Sequence, residues 1–370
     1  MKWVKKYCSY LLLTAFAVSF LVIPEAAAGW YQTAGWDYRM RLTVESAHVD
    51  AALTDFPVYL DLSQIDEHHG FWRGVKSDGS DIRITTSDGE TEVPVEIVDI
   101  DTSTASGEIH FKANSLSDTD DTQFWLYYGN GSATMPADTH SYGKNNVWDL
   151  AGFGMVHHFF GATATDIDDS TSNNNDVTTD ESTSPGYNVP AKLGEGVDFD
   201  GTDVLSVADH DSLDPGTGDF SISAWVQLDT ITTTYGITSK GNWNSGQDNW
   251  QFTMSGSEYW ALASSGSGWW VNQTSGTSTI VTDTWQLVTI TLDRDGDQKI
   301  YIDGIEQGSQ TASNSDDINS TSTLRIGETV TYGTMDGTLD ELRFSDVARS
   351  ASWISTEYNN QNAPESFITF

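Results

Sequence analysis

The sequence has little cysteine, little positive charge and no second long apolar run after its N-terminus. Its 370 residues include one cysteine, Cys8, and 17 lysine and arginine residues against 54 aspartate and glutamate residues. The resulting net charge of −37 disfavours binding to nucleic acid phosphates and to anionic membranes, and it favours contact with metal cations. Because 38% of the residues are hydrophobic, including 14 Trp and 15 Phe, the acidity does not indicate a disordered tail.

The N-terminal segment has the pattern of a secretory signal. Three lysines precede an apolar run over residues 11–23, and three alanines before Gly29 provide a small-residue cleavage site. The apolar run is short for a membrane span. We therefore predict a signal peptide over residues 1–28 and a mature protein that is secreted or held in the cell envelope. Cys8 would leave with the signal, so the mature protein would have no disulfide bonds and no membrane span.

Short segments of alternating polarity fill most of the remaining chain. Runs of alternating apolar and polar residues, separated by clusters of Gly, Asp, Asn or Ser, are typical of β-strands. We predict strands at residues 38–44, 57–62, 81–85, 93–98, 107–112, 122–128, 155–160, 219–228, 249–254, 285–292, 298–303, 322–327 and 337–344. A single helix is predicted over residues 351–360, with Ser350 as its N-cap.

This pattern predicts an all-β protein made of two β-sandwich domains. The first domain would cover residues 35–130. Residues 131–150 are polar and rich in turn-forming residues, so we predict a linker there. The second domain would cover residues 151–362.

Several segments of the second half follow one another in the order that a known family shows. They are VDFDGTDVLSV (197–207), SLDPGTGDFSISAWVQ (212–227), DTWQLVTITLD (283–293), KIYIDG (299–304) and MDGTLDELRFSDVARS (335–350). In these segments the second half resembles the laminin-G-like, concanavalin A-like jelly-roll family, which implies that the second domain is a jelly roll. GWDYRMRLTV and QFWLYYGNGSA make the first half resemble a domain family of unknown function that often precedes such modules in secreted bacterial proteins.

Asp340 is unusual for its position in the last predicted strand. Strand alternation would place its side chain on the same face as Leu342 and Phe344, which is the face expected to pack into the core. A lone carboxylate there would be costly to bury, and a bound cation would remove that cost. The alternative is that Asp340 lies at the rim of the sandwich and accepts backbone N–H groups.

The resemblance implies that this cation is calcium. Members of the family commonly bind a structural calcium between the Asp of a late LDE(V/L)R strand and the Asp of an early loop, and these are Asp340 and Asp169 here. Backbone carbonyl groups around Asn173 to Asn175 would add oxygen ligands, and Asn174 stands where the family often has Gly. Calcium takes about six to eight oxygen ligands, which an Asp- and Asn-rich loop can supply.

Catalytic residue patterns are not found in the sequence, although the fold also includes glucanases. Retaining glycosidases need two carboxylates on one face, about 5–5.5 Å apart. Asp340 and Glu341 are neighbours in a predicted strand, so alternation would direct them to opposite faces. By the same argument His157 and His158 cannot chelate one ion together, and we interpret them as ordinary strand residues. We therefore predict that the protein is not an enzyme.

Aromatic residues are concentrated between residues 241 and 273, among Gly, Ser, Asn and Gln. Sugars are commonly held by stacking on flat aromatic rings with polar groups at their edges. Trp250 would share a strand face with Phe252 and Met254 and belong to the core. The candidate ligand-binding residues are Trp243, Trp260, Trp269 and Trp270.

The sequence thus predicts a secreted, non-catalytic binding or adhesion protein that binds a glycan or a cell-surface polymer and carries a structural calcium. One alternative is a structural spacer within a cell-surface assembly. A polysaccharide-degrading enzyme is a further alternative, which only the fold favours.

Overall fold

The computed structural model describes residues 34–180, 184–231, 234–241, 249–265, 268–274, 279–312, 316–329 and 333–370. The predicted signal peptide lies outside these ranges. Antiparallel sheets dominate the described chain, which confirms the predicted all-β class. Among the described residues, no helix has the length and apolar character needed to cross a membrane.

The first half folds into two antiparallel sheets that face each other. Its strands are β1 (Tyr38–Val44), β2 (Leu53–Asp61), β3 (Arg83–Thr86), β4 (Glu92–Val93), β5 (Val95–Asp101), β6 (Ser106–Leu116) and β7 (Thr122–Tyr128), with a short helix α1 (Phe71–Gly74) after β2. One sheet contains β1, β7, β3 and β4, and the other contains β2, β6 and β5. Alternation gives each sheet an apolar face, and residues such as Leu42 and Phe111 are fully buried between the two.

The second half begins after a short helix, α2 (Asn145–Trp148), and forms two larger sheets. Its strands are β8 (Phe153–His157), β9 (Val177–Asp180), β10 (Gly186–Pro190), β11 (Glu195–Asp200), β12 (Leu205–Val207), β13 (Phe220–Leu228), β14 (Thr234–Lys240), β15 (Asn249–Ser255), β16 (Glu258–Ser265), β17 (Gly268–Thr274), β18 (Gln286–Leu292), β19 (Asp297–Ile302), β20 (Ile305–Thr311), β21 (Leu324–Ile326), β22 (Glu328–Thr329), β23 (Gly333–Thr334) and β24 (Asp336–Ser345).

The two larger sheets pack face to face as a jelly roll. The central sheet has the strand order β10-β11-β24-β13-β18-β19-β20, with β8 also beside β24, and the distal sheet has the order β17-β16-β15-β14-β21-β12-β9. Trp250, Phe252 and Met254 are buried between them, as alternation along β15 predicts.

The C-terminal segment returns to the first domain. It forms α3 (Ala351–Asn362), α4 (Pro364–Phe367) and β25 (Ile368–Thr369). The Ser350 side chain accepts a hydrogen bond of 3.2 Å from the backbone N–H of Trp353, so the predicted N-cap is confirmed. β25 pairs with β1 at the edge of the first sheet, which extends that sheet to five strands.

Strand β8 lies between the two cores. Phe153 and Val156 contribute to the core of the first domain, whereas Met155 contributes to the core of the jelly roll. Val147 and Trp148, in the stretch predicted as a linker, are also buried in the first-domain core. The two domains are therefore joined by packed side chains in addition to the chain itself.

Removal of the Phe367 ring should destabilise the protein. Phe367 is fully buried in the first-domain core, so we expect Phe367→Ala to lower the free energy of unfolding by about 3–5 kcal/mol. Phe370 is 42% exposed, and we expect Phe370→Ala to change it by no more than about 0.5 kcal/mol. Urea denaturation of both variants checks this, and equal effects would contradict the docking of the C-terminal segment.

Candidate functional site

A β-bulge in β24 sets the position of two carboxylates. In the pairing of β13 with β24, Ser223 lies opposite Arg343 and Trp225 lies opposite Asp340. Two residues of β24, at positions 341 and 342, therefore stand opposite the single residue 224. Glu341 has a φ of 53°, in the left-handed region, as a bulge residue can have.

The bulge makes the predicted face of Asp340 wrong. Leu339 and Leu342 both contribute to the jelly-roll core, although strict alternation would place residues three apart on opposite faces. Asp340 instead lies opposite Trp225 on the other face of the central sheet, which is directed toward the first domain. The prediction that Glu341 points away from Asp340 is also wrong, because Glu341 contacts groups at the same domain interface.

This interface contains a group of buried ionisable side chains, which we call the interface cluster. All of its members are 6% exposed or less, namely Glu96, Glu108, His110, His158, Asp340, Glu341, Arg343 and Glu357. The first three belong to β5 and β6 of the first domain, and the others follow β8 or belong to β24 and α3.

Arg343 connects two carboxylates of the cluster. Its Nε donates to Glu341 Oε2 at 2.9 Å, and its Nη1 donates to Glu357 Oε1 at 2.7 Å. The guanidinium also lies over the ring of Trp148, 4.8 Å from the ring centroid. Burial opposes the ionisation of Glu341, but the charges of His158 and Arg343 outweigh it and hold the pKa of Glu341 well below its usual range.

His158 bridges the two domains. Its Nδ1 is hydrogen-bonded to Glu341, and its Nε2 lies 3.3 Å from Glu96 Oε2. Burial opposes the charge on His158, but the carboxylates of Glu341 and Glu96 raise its pKa well above its usual range. Glu96 also accepts hydrogen bonds from Trp148 Nε1 at 2.5 Å and from Ser170 Oγ at 2.6 Å.

The remaining members leave two buried polar atoms without partners. Glu108 Oε1 lies 3.0 Å from His110 Nε2, and burial, together with the charge of Glu341, raises the pKa of Glu108 well above its usual range. Asp340 Oδ2 accepts a hydrogen bond of 2.7 Å from the backbone N–H of Leu193. Within the described residues, His110 Nδ1 and Asp340 Oδ1 are buried and have no hydrogen-bond partner.

The prediction that His157 and His158 point in opposite directions is right. The interpretation of His158 as an ordinary strand residue is wrong. His157 Nε2 lies 2.8 Å from the carbonyl oxygen of Asn175, whereas His158 enters the interface cluster on the other side. The spacing of Glu108 and His110 in the sequence could have indicated that their side chains lie together, because residues two apart on a strand share a face. Their pairing with His158 could not be read from the local sequence.

The loop predicted to hold calcium is organised by Asp169. Its Oδ1 accepts hydrogen bonds from the backbone N–H groups of Val156 at 2.9 Å and Thr171 at 3.0 Å, and its Oδ2 accepts one from Asn175 at 3.0 Å. Asn174 has a φ of 54°, which explains why this position suits both Gly and Asn.

Among the described residues, no hydrogen bond links Asp340 to the loop residues Asp169, Asn173 and Asn175. The side-chain amides of Asn173 and Asn175 donate to the carbonyl oxygen of Gly154 at 3.0 and 2.7 Å, next to Asp169. Asp340 belongs to the interface cluster and shares none of these hydrogen bonds. The loop residues are therefore together without Asp340, and calcium binding stays a prediction.

The candidate ligand-binding tryptophans are described to different extents. Trp243 lies outside the described residues. Trp269 and Trp270 lie in β17, and their side chains are likewise outside the description. Trp260 lies in β16 and is half-buried.

Trp260 borders a cavity of about 100 Å³ that is also lined by Thr234, Thr253, Ser255 and Leu262. Its indole Nε1 is buried and has no hydrogen-bond partner in the described part of the chain. Tyr259 and Ala261, on either side of Trp260, face the jelly-roll core, so Trp260 faces away from it.

Loss of the Arg343 charge should be much more harmful than loss of an exposed charge. Arg343→Met removes the cation that the buried carboxylates of Glu341 and Glu357 share, and we expect it to lower the free energy of unfolding by about 3–5 kcal/mol. Lys299 pairs with Glu306 on the surface at 3.0 Å, and Lys299→Met should cost no more than about 1 kcal/mol. Chemical denaturation measures both, and a loss below 1 kcal/mol for Arg343→Met would contradict the buried network.

Comparison with solved structures finds low sequence identity and partial coverage. The binding domain of Paraclostridial Mosquitocidal Protein 1 is 16% identical with a TM-score of 0.46, over 56% of this chain and 52% of that chain. The receptor-binding domain of the botulinum neurotoxin C/D mosaic serotype is 15% identical with a TM-score of 0.44, over 56% and 51%. The chain thus spans about half the length of these toxin domains.

Domain 4 of AbnA, an extracellular arabinanase from Geobacillus stearothermophilus solved in complex with arabinotriose, is 18% identical with a TM-score of 0.42. That match covers 56% of this chain and 98% of that chain. No curated protein matches the chain.

Comparison with protein families covers both halves of the chain. Residues 78–172 match a domain of unknown function, a range that includes Glu96, Glu108, His110 and His158. Both resemblances seen in the sequence are thereby confirmed: the first half is similar to this domain of unknown function, and residues 199–355 match the concanavalin A-like lectin/glucanases superfamily.

Proposed function

We propose that this chain is a secreted, non-catalytic binding protein whose jelly-roll domain binds carbohydrate on the outer face of the distal sheet. The match of residues 199–355 to the concanavalin A-like lectin/glucanases superfamily supports a binding module. The signal-like pattern at the N-terminus supports secretion. The observation that carries the proposal is the cavity beside Trp260.

The cavity offers the two kinds of contact that a sugar uses. The indole ring of Trp260 provides a flat apolar surface, and its buried Nε1–H has no acceptor within the described residues. Thr234, Thr253 and Ser255, which carry hydroxyl groups, also line the cavity, and the hydroxyl of Thr253 donates to the carbonyl oxygen of Tyr235. Thr234 Oγ1 and Ser255 Oγ lie 2.9 Å apart, so one of these hydroxyl groups donates its proton to the other. The accepting hydroxyl keeps its own proton, which it can donate to a ligand.

The size of the cavity limits what can enter it. A volume of about 100 Å³ suits one exocyclic arm or one edge of a sugar ring. The rest of the sugar would then lie on the outer face of β16. A donor such as Trp260 Nε1, left unpaired in a buried site, favours a ligand that brings an acceptor oxygen.

We still propose that the protein is not an enzyme, although the sequence argument that Asp340 and Glu341 lie on opposite faces is wrong. The bulge places Asp340 and Glu341 on the same side of the central sheet, near Glu108. All three carboxylates are 5% exposed or less, however, and Glu341 is held by Arg343. Glycoside hydrolysis needs room for a sugar ring between its two carboxylates, and this burial does not provide it.

A glycan array with the mature protein tests the proposal. We expect binding to at least one glycan, and we expect Trp260→Ala to weaken it about tenfold or more, equivalent to about 1.4 kcal/mol. Trp125 is a matched control, because it is a half-buried tryptophan of the first domain that lies under Arg39, and Trp125→Ala should leave glycan binding unchanged.

Two outcomes would count against carbohydrate binding. The first is a wild-type protein that binds no glycan but co-purifies with an envelope complex, which would favour the structural spacer. The second is a Trp260→Ala variant that binds as tightly as the wild type, which would place the binding surface elsewhere.

A further inference from the structure

Four side chains of the interface cluster bring potential metal ligands close together. Glu108, His110, His158 and Glu341 each offer one ligand atom, and these atoms all lie within 4.8 Å of one another. Two of the separations are 3.0 Å, between His110 Nε2 and Glu108 Oε1, and 3.6 Å, between His158 Nδ1 and Glu108 Oε1. Ligands about 2.0–2.1 Å from a tetrahedral zinc ion are about 3.3–3.4 Å from each other, so these two separations are close to those around such an ion. The longest separations, of up to 4.8 Å, would have to shorten when the ion binds.

The groups around these ligands also match a metal site. A histidine that binds a metal through one ring nitrogen usually donates its other N–H to a carboxylate. His158 has this arrangement, because its Nε2 lies 3.3 Å from Glu96 Oε2 while its Nδ1 faces Glu108 and Glu341. Arg343 holds Oε2 of Glu341, which leaves Oε1 directed to the cluster.

The cluster holds more acidic than basic side chains. Five of its members carry carboxyl groups, and its basic members besides His110 are Arg343 and His158. Burial together with the charge of Glu341 raises the pKa of Glu108 and of Asp340 well above the usual range. A divalent cation would stabilise the ionised form of carboxylates that bind it, which burial alone disfavours.

Two cavities border the cluster, and Phe160 lines both of them. One, of about 200 Å³, is lined by Glu96 and His158 together with Asp166 and Asp168. The other, of about 400 Å³, is lined by Glu108 together with Asp61, Asp99 and Glu195. Each lining also includes one lysine, Lys144 in the first cavity and Lys192 in the second. The acidic side chains outnumber the lysine in both cavities, and this excess would attract a cation toward the cluster.

We propose that the interface cluster binds one divalent transition-metal ion, with zinc as the best match and with Glu108, His110, His158 and Glu341 as its ligands. Two imidazole ligands favour zinc over calcium, which prefers a shell of oxygen atoms. Because each ligand atom must be free of its proton to bind the ion, metal binding would release protons from the cluster to solvent. Since two ligands come from each domain, the ion would hold the two domains together.

The test uses the full mature chain after chelation and removal of the chelator. Titration calorimetry should show one equivalent of zinc bound, and cobalt in its place should give a visible d–d absorption typical of a tetrahedral site with nitrogen ligands. Calcium at the same concentration should not compete. Zinc should also raise the melting temperature of the wild type.

Matched variants identify the ligands. Glu108→Gln and His110→Gln keep the approximate size of the side chains, and each should abolish stoichiometric zinc binding. Glu96→Gln should weaken binding about 10–100-fold, because Glu96 only orients His158. Glu357→Gln alters an equally buried carboxylate that bonds to Arg343 and is not among the four ligands, so this variant should keep one equivalent.

Near-ultraviolet circular dichroism establishes that each variant is folded before its metal content is compared. The proposal is overturned if the folded wild type binds no zinc or cobalt, because a purely ionic network needs no metal. It is also overturned if Glu108→Gln and His110→Gln bind zinc as tightly as the wild type, or if calcium displaces zinc at equal concentration.

Discussion

The pairing of Arg343 with Glu341, and of Glu341 with His158, is the constraint on which the domain interface depends. These groups are almost completely buried, so each charge must have a partner in place when the two domains meet. The bulge at Glu341 makes this possible, because it directs two consecutive carboxylates of β24 toward the first domain. A regular strand would have buried one of them in the apolar core of the jelly roll.

The remaining contacts between the domains follow from this arrangement. Trp225 lies beside Asp340 on the same face of the central sheet and donates a hydrogen bond of 2.6 Å to Gln361 of α3. Tyr59 of the first domain packs against Trp225, and its backbone N–H donates to the side chain of Asn360 at 2.7 Å. The C-terminal helix thus contacts both domains before β25 joins the first sheet. The carbohydrate site that we propose lies on the opposite side of the jelly roll, in the distal sheet.

Local sequence patterns predicted the all-β fold, the Ser350 cap and the inward face of Trp250, because each depends on neighbouring residues. The interface cluster depends on one extra residue in β24 and on partners far apart in the chain. His158 is 62 residues from Glu96 and 183 residues from Glu341. Alternation without the bulge assigned Asp340 to the wrong face of β24. The strands missed by the sequence analysis include β20, whose exposed and polar residues lack the periodicity of a half-buried strand.

Differential scanning calorimetry of the whole mature chain tests the central claim that the buried interface joins the two domains into one folding unit. The account predicts a single transition in which the calorimetric and van't Hoff enthalpies agree, since neither domain can unfold without exposing the charges of the other. Two well-separated transitions, each with its own two-state enthalpy, would show that the domains unfold independently and would contradict the account.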